Sequence, residues 1–321
     1  MDTIPPSAGE PLNQSRTAPR RASGLLLCIV VGIPVALLVL TFPIMNSSFF
    51  KKYGDSLSVT AQRSLFESTN RKCDVLIYGD STAEAGVDPA IVENATHLTA
   101  CNIATGGPTL SIMGLDPFNK YLARNPKPRY LVLQFSAADL HEIKPSTTDL
   151  EHLDGIIESV RYYGWLNSLP IFLHTPDYII GLMNYTYKSG STQMFLSLAG
   201  KRPKYDPQHS DSYLIYPRLP LKSCPIYNGG SDMPDTAWIK HLRQLYGDSA
   251  GTVFVDISPT SPCNTLYPSW KTALAGSTDN DLELYPTNLF VDGTYHCSRE
   301  GAIRRSNEVA EQILRAEAGG R

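Results

Sequence analysis

Residues 73–89 read CDVLIYGDSTAEAGVDP, and this stretch decides the fold. Residues 74–78, DVLIY, form a short apolar run that is typical of a strand buried on both faces of a parallel sheet. Gly79 permits a sharp turn, and a helix is expected over residues 83–94. Ser81 would therefore lie where the strand ends and the helix begins, at the edge where open α/β sheets bind ligands.

The flanking sequence repeats this alternation of short apolar runs and helical stretches. Further strands are expected at residues 100–104, 130–135 and 252–257, and further helices at residues 110–124, 237–246 and 299–316. Strands that alternate with helices in this way predict a doubly wound α/β fold with a parallel sheet.

The tetrapeptide YGDS occurs at residues 53–56, 78–81 and 246–249, so context must decide which copy is functional. No buried strand precedes the first copy, which indicates a turn. The third follows an amphipathic stretch, WIKHLRQLY, and is expected to contain a glycine helix cap. The second follows a buried strand and places Ser81 at a helix N-terminus, where backbone N–H groups can stabilise an oxyanion. The alternative is that Asp80 or Ser81 only caps the helix.

The N-terminal region contains an uncharged run, GLLLCIVVGIPVALLVLTFPIM, at residues 24–45. A helix that crosses a bilayer needs about 20 such residues. Arg16, Arg20 and Arg21 precede the run, which predicts a cytoplasmic N-terminus and an exported remainder. The alternative is a cleaved signal peptide, but the run exceeds the usual apolar region of about 7–15 residues and no A-x-A site follows it.

These features divide the chain into segments. We expect a cytoplasmic tail (1–23), a transmembrane helix (24–45), a juxtamembrane stalk with some helix (46–70) and an α/β domain (71–321). Residues of about 141–235 interrupt the alternation, with helices expected around residues 150–163 and 170–187. We interpret this region as an insertion that caps a site.

The charge and the cysteine content argue against some classes of function. A net charge of −3 without clustered Lys and Arg argues against nucleic-acid binding. No CxxC or His-spaced pair indicates zinc, and we expect neither a metal nor a cofactor. Disulfides can form in an exported domain. Cys73 and Cys101, next to two adjacent predicted strands, are expected to pair, and Cys297 is the expected odd thiol.

The GDS stretch and the next block resemble the SGNH, or GDSL-type, hydrolase family, in which the serine of GDS is the nucleophile. That serine corresponds to Ser81. Residues 101–110, CNIATGGPTL, are similar to the second block of the family, an Asn followed five residues later by a glycine whose N–H joins the oxyanion hole. The spacing from Asn102 points to Gly107 as that donor, with Gly106 as the alternative.

The third block of the family usually reads GxND, and residues 136–140 here read SAADL. If Asp139 matches the Asp of that block, Ala138 occupies the place of an Asn that normally gives a third oxyanion hydrogen bond. Loss of such a donor can lower the rate about 10²-fold or more. Either another group such as Ser136 substitutes, or the activity is weak.

Residues 290–302, FVDGTYHCSREGA, resemble the last block of the family, D-x-x-H followed by a helix. The resemblance implies that His296 is the catalytic base and that Asp292 orients it. Here three residues rather than two separate Asp292 from His296, which puts the role of Asp292 in question.

The resemblance also implies a three-layer, flavodoxin-like SGNH domain with serine esterase or O-acyltransferase activity. Family members tethered outside the bacterial membrane resemble partners of polysaccharide O-acetylation machinery. The expected substrate is then an acylated carbohydrate or a small ester, a membrane-bound acyltransferase is a candidate partner, and the expected location is the inner membrane with a periplasmic or extracellular domain. The alternative is a non-catalytic scaffold of the same fold that binds a glycan or a membrane partner.

Overall fold

The computed structural model describes residues 28–55, 59–60, 68–142, 153–164, 166–168, 173, 177–201, 220–224, 233–292 and 295–319. Within them, four parallel strands form one sheet in the order β2-β1-β3-β4. The strands are β1 (Val75–Gly79), β2 (Ala100–Asn102), β3 (Tyr130–Phe135) and β4 (Thr252–Ile257). This confirms the predicted α/β class with a parallel sheet and is consistent with a flavodoxin-like arrangement. The strand order reverses between β1 and β3, and such a switch point is where α/β sheets bind ligands.

Helices precede, connect and follow the strands. In chain order the described α-helices are α1 (Ile33–Asn46), α2 (Ser48–Tyr53), α3 (Ser81–Gly86), α4 (Pro89–Thr96), α5 (Gly107–Met113), α6 (Asp116–Arg124), α7 (Leu153–Tyr163), α8 (Asp177–Asn184), α9 (Gly190–Leu198), α10 (Thr236–Tyr246), α11 (Tyr267–Leu274) and α12 (Arg299–Gly319). One π-helical turn, Cys28–Gly32, precedes α1, and another, Tyr185–Ser189, joins α8 to α9. Two 3-10 turns are Gly247–Ser249 and Thr287–Leu289.

The two faces of the sheet pack against different helices, because successive side chains of a strand point to opposite faces. On one face, Leu76, Leu131 and Val255 belong to a core that includes side chains of α6, α10 and α11. On the other face, Ile77 and Val132 belong to a core with α4 and α12. Helices therefore cover both faces, and every residue of β1 and β3 is buried.

Two helices that the sequence predicts as continuous are each broken by a local signal. Residues 83–94 divide into α3 and α4 because Asp88 accepts a hydrogen bond from the N–H of Ala90 at 3.0 Å and Pro89 occupies the first helical position. Residues 110–124 divide into α5 and α6 at Gly114, whose φ of 56° is accessible to glycine without a Cβ penalty.

The N-terminal helices pack against the insertion. Met45 of α1 and Phe50 of α2 are buried in one core with Ile157 of α7 and Leu182 of α8. Asp55, in the first YGDS copy, forms an ion pair with Arg161 of α7 at 2.8 Å, and the two side chains are 0% and 2% exposed. The first copy thus contributes to the packing between the N-terminal region and the insertion. The sequence predicted only a turn there.

The predicted transmembrane helix lies partly outside the described residues, which begin at residue 28. From there the chain is helical as far as residue 46. In the described part of the chain, no helix combines the length and the apolar character that crossing a membrane requires.

The cysteines outside the predicted span form two disulfides and leave one thiol. Cys73 and Cys101 are bonded, as predicted, and join the start of β1 to β2. Cys297 is a free thiol, also as predicted, and burial raises its pKa to about 12. A second disulfide, Cys224–Cys263, joins the end of the insertion to the segment after β4 and was not predicted.

Candidate active site

Ser81 is the first residue of α3 and follows the carboxyl end of β1. Asp80 caps the helix by accepting a hydrogen bond from the N–H of Thr82 at 2.8 Å. Gly79 is required by the close approach of β3, because a Cβ there would overlap the carbonyl oxygen of Gln134. The turn that presents Ser81 is therefore determined by the packing of β1 against β3.

His296 lies beside Ser81 although 215 positions separate them in the sequence. The Nε2 atom of His296 is 2.9 Å from the Oγ atom of Ser81. This is within the distance at which a general base can accept a proton from a hydroxyl. The structure thus brings together the serine and the histidine that the sequence singled out.

Asp292 completes the arrangement on the other side of the ring. Its Oδ2 atom is hydrogen bonded to Nδ1 of His296, and its Oδ1 atom accepts hydrogen bonds from the N–H groups of Tyr295 and His296 at 3.1 and 3.0 Å. Burial favours the neutral carboxyl, but the hydrogen bonds and the charge of His296 outweigh burial and lower the pKa of Asp292 to about 2. Asp292 is therefore a carboxylate at neutral pH, and it holds the ring in one orientation.

Backbone contacts fix the segment that carries these two residues. The N–H of Val291 donates to the carbonyl of His296 at 3.0 Å, and the N–H of Ser298 donates to the carbonyl of Leu289 at 2.7 Å. Gly301 lets α12 approach closely, because a Cβ there would overlap the carbonyl oxygen of Leu289. The additional residue before His296 is thus compatible with contact between the two side chains.

Gly106 and Gly107, the candidate oxyanion donors, lie at the start of α5. The N–H of Thr105 donates to the carbonyl of Gly79 at 3.0 Å, which places the preceding segment beside the turn that carries Ser81. A Cβ on Gly107 would meet no atom within 4 Å. Packing within the protein therefore does not require a glycine at position 107, and the space beside it is open.

Ala138 has no side-chain donor, and Ser136 does not replace one. The hydroxyl of Ser136 donates to Oδ2 of Asp139 at 2.9 Å. The N–H of Ser136 donates to Oδ2 of Asp80 at 2.7 Å. Both donors of Ser136 are therefore used within the protein, and the third oxyanion hydrogen bond expected from the sequence resemblance has no counterpart at Ser136.

Asp139 is a second carboxyl group beside the site. Burial, together with the charge of Asp80 and a hydrogen bond with it, raises the pKa of Asp139 to about 7, although the Ser136 hydrogen bond and the charge of His296 act in the opposite direction. A carboxyl whose pKa is raised on folding stabilises the folded state fully below its ordinary pKa, and this contribution is lost as the pH rises through the folded value. For Asp139 the window runs from about 4 to about 7.

We expect Asp139→Asn to raise the thermal unfolding temperature relative to the parent at pH 8 by more than it does at pH 5. The amide cannot ionise, and it can still accept from Ser136 and donate to Asp80. Thermal unfolding of both purified proteins at the two pH values measures the effect, and Asp248→Asn, at an exposed carboxylate, is the control. An equal difference at both pH values would show that Asp139 does not titrate in this range.

Asn102 supports α3, the helix that begins with Ser81. Its Nδ2 atom donates to the carbonyl oxygens of Ala83 and Val87 at 2.9 and 2.8 Å, and its Oδ1 atom accepts from the N–H of Ala104 at 2.9 Å. The side chain is fully buried. Asn102 therefore joins the end of β2 to the last turn of α3, which is a positioning role.

The other two YGDS copies lie in different settings. Ser56 of the first copy lies outside the described residues. In the third copy, Gly247–Ser249 form a 3-10 turn directly after α10, which agrees with the predicted end of a helix.

Part of the insertion lies beside the His296 segment. The N–H of Leu221 donates to the carbonyl of Phe290 at 2.8 Å, and the Cys224–Cys263 disulfide holds this stretch against the α/β domain. The sequence predicted an insertion that caps a site. Of the surrounding region, residues 202–219 and 225–232 lie outside the described residues, so this stays a prediction.

Sequence reasoning missed two connections around the site. It considered Asp80 only as a helix cap, whereas Asp80 also binds the backbone of Ser136. It also gave no role to the side chain of Asp139. A signal for both was present, since acidic residues follow β1 and β3, and parallel neighbouring strands bring their carboxyl ends to the same edge.

Comparison with known proteins identifies no relative. No protein-family model matches the chain. The searches of curated proteins and of solved structures likewise return no match. Among the described residues, no cluster of three or more His, Cys, Asp or Glu side chains could hold a metal ion.

Proposed function

We propose that this chain is a membrane-anchored, extracytoplasmic serine esterase or O-acyltransferase of the SGNH type, with a three-layer αβα domain. Its substrates would be acyl esters, acetyl esters in the first place, of a polysaccharide that is being made or modified. The observation that carries the proposal is the line of hydrogen bonds from Ser81 through His296 to Asp292.

The chemistry follows from these contacts. As Oγ of Ser81 attacks the ester carbonyl carbon, Nε2 of His296 accepts the hydroxyl proton. The backbone N–H groups of Ser81 and Gly107 would stabilise the oxyanion. The ester C–O bond then breaks, His296 returns the proton to the leaving alcohol, and the acyl group stays on Ser81.

The second half of the reaction decides between hydrolysis and transfer. Water or a sugar hydroxyl attacks the acyl-serine with His296 again as base, releasing either a carboxylic acid or a new ester. Both outcomes use the same residues, so they are separated by measuring the products with and without an acceptor glycan. A membrane-bound acyltransferase is the proposed partner in the case of transfer.

Two observations support the proposed location. The uncharged run at residues 24–45 is preceded by arginines, which favours a cytoplasmic N-terminus. The disulfides Cys73–Cys101 and Cys224–Cys263 favour an oxidising compartment for the α/β domain. Together they support a single-pass inner-membrane protein whose site lies in the periplasm or outside the cell.

A second candidate function is a non-catalytic scaffold that binds a glycan or a membrane partner. The observation that favours it is the missing donor at Ala138, because Ser136 already donates to Asp139. A fold that keeps the triad without a complete oxyanion hole could retain binding while its turnover is low.

A serine-reactive fluorophosphonate probe tests the proposal. We expect the parent protein to be labelled and Ser81→Ala to lose all labelling, because the His296-activated hydroxyl is the group that attacks phosphorus. Ser249→Ala, in the third YGDS copy, is the matched control and should be labelled like the parent.

Two outcomes would contradict this assignment. A folded parent protein that takes up no label would favour the scaffold. Labelling that persists in Ser81→Ala but disappears in Ser249→Ala would mean that the wrong serine had been chosen.

A further inference from the structure

The insertion packs against the part of the N-terminal helix that the sequence assigns to the membrane. The hydroxyl of Tyr187 donates to the carbonyl of Leu37 in α1 at 2.7 Å. Thr41 and Met45, farther along α1, are fully buried, and α8 and the π-helical turn after it lie against this helix. From residue 37 onward, α1 is therefore in contact with the insertion.

The length of the apolar run determines where that contact must lie. The hydrocarbon core of a bilayer is about 30 Å thick. Residues 24–36, which precede the contact, would extend only about 20 Å as a helix with a rise of about 1.5 Å per residue. A helix that begins at residue 24 needs about 20 residues for this thickness, so it can cross the bilayer only if residues 37 to about 43 are also inside it. Side chains of the insertion that touch these residues must then be inside it as well.

The outer surface of the insertion agrees with this placement. Ile180 of α8 is 67% exposed, and Phe195 and Leu198 of α9 are 70% and 71% exposed. On α1, Val35 and Val39 are exposed to a similar degree, 53% and 65%. The helix α8 packs against α1, and α9 packs against α2, which follows α1 in the chain. Exposed apolar surface of this kind marks contact with a membrane or another protein.

Three hydroxyl groups of the insertion bond to the backbone of their own helical segment. Thr186, Ser191 and Thr192 each donate to the carbonyl four residues earlier, at 2.8, 2.7 and 2.9 Å. Hydroxyl groups that bond to the backbone of their own helix do not need water as a partner. Polar groups inside a bilayer must be satisfied in this way, because its hydrocarbon core contains no water. Lys188 carries the only charge in residues 178–198, and its long stem allows the ammonium group to reach the headgroups.

We propose that the segment Asp177 to Leu198 is a second membrane-embedded element, which enters the outer leaflet beside α1 and exposes Ile180, Phe195 and Leu198 to lipid. This inference rests on the proposed membrane anchor. Leu182 of this segment shares one core with Ile112 and Met113 of α5, the helix that begins at Gly107. The embedded segment thus holds the active site close to the membrane surface, where a lipid-linked or membrane-delivered acyl donor would arrive.

Spin labels on the full-length protein test this placement. In a Cys28→Ser background, single cysteines replace Ile180 or Phe195, and the protein is reconstituted in vesicles of phosphatidylethanolamine and phosphatidylglycerol. Val39→Cys reports on the anchor, and Leu314→Cys, an exposed leucine of α12, reports on the α/β domain. Accessibility is measured to oxygen, which concentrates in lipid, and to a water-soluble nickel complex. The background protein without an added cysteine checks that the buried Cys297 takes up no label.

We expect the labels at positions 180 and 195 to resemble the label at 39, with oxygen accessibility several-fold above nickel accessibility, and the label at 314 to show the reverse. Nickel accessibility at 180 and 195 with lipid exposure at 39 would overturn this inference and leave the anchor intact. Nickel accessibility at 39 as well would refute the anchor and the embedded segment together. Unfolding temperatures equal to that of the parent establish that each variant is folded.

Discussion

His296→Ala is expected to lower kcat for ester hydrolysis by about 10⁴-fold or more, because removal of the base leaves the serine protonated and weakly nucleophilic. Nε2 of His296 is the ring atom that faces Ser81 Oγ at 2.9 Å. The variant should fold, since the backbone contacts of its segment remain. Hydrolysis of p-nitrophenyl acetate by purified, folded protein measures the effect.

The matched control is His241→Ala, which removes an exposed histidine on α10 and should leave kcat within a few-fold of the parent. Turnover that still requires Ser81 but survives His296→Ala would exclude His296 as the base.

Much of the sheet could be predicted because its strands are short apolar runs that are bounded by turn residues. β3 and β4 have the predicted bounds, since NPKP precedes the former and a glycine turn the latter. Signals for the breaks at Asp88 and Gly114 were visible, as a DP pair and a glycine, but the apolar spacing on either side favoured single helices.

The packing of the N-terminal helices against the insertion could not be predicted in the same way, because its contacts join positions that are far apart in the sequence. Asp55 and Arg161 are 106 positions apart and are buried only because α2 and α7 meet. The local sequence shows only that Asp55 follows a glycine, and it does not indicate which residue pairs with Asp55. The Cys224–Cys263 disulfide is a similar case, with one cysteine in the insertion and the other after β4.

More of the candidate site could be proposed from the sequence, because its residues occur in ordered blocks. Ser81 was chosen because it follows a buried strand, and His296 because residues 290–302 resemble the last block of a known family. The electrostatics around them did not follow, since the raised pKa of Asp139 arises from burial and from Asp80 across the neighbouring strand. The hydrogen bonds that Ser136 donates to Asp139 and Asp80 likewise depend on the tertiary structure.

Asp292→Asn is expected to reduce kcat by up to about 10⁴-fold, because an amide can present an N–H to Nδ1 of His296 where the carboxylate accepts one. The ring would then carry its proton on Nε2 and point it at Ser81, which is the wrong tautomer for a base. The amide oxygen can still accept from the N–H groups of Tyr295 and His296, as Oδ1 does now. The loop should therefore keep its shape while the chemistry fails.

The pH dependence separates this role from a structural one. The pKa of Asp292 is lowered to about 2, so its contribution to stability is present above about pH 4, where the unfolded carboxyl is ionised, and is lost as the pH falls through about 2. Between pH 5 and 8 the carboxylate stays ionised, so Asp292→Asn should lower the unfolding temperature by a similar amount across that range. Its kcat deficit should be present throughout the range at an assay temperature where the variant is fully folded. Activity within a few-fold of the parent would mean that Asp292 does not orient His296. A kcat deficit that disappears when the assay is run well below the unfolding temperature of the variant would instead assign Asp292 to folding of the loop.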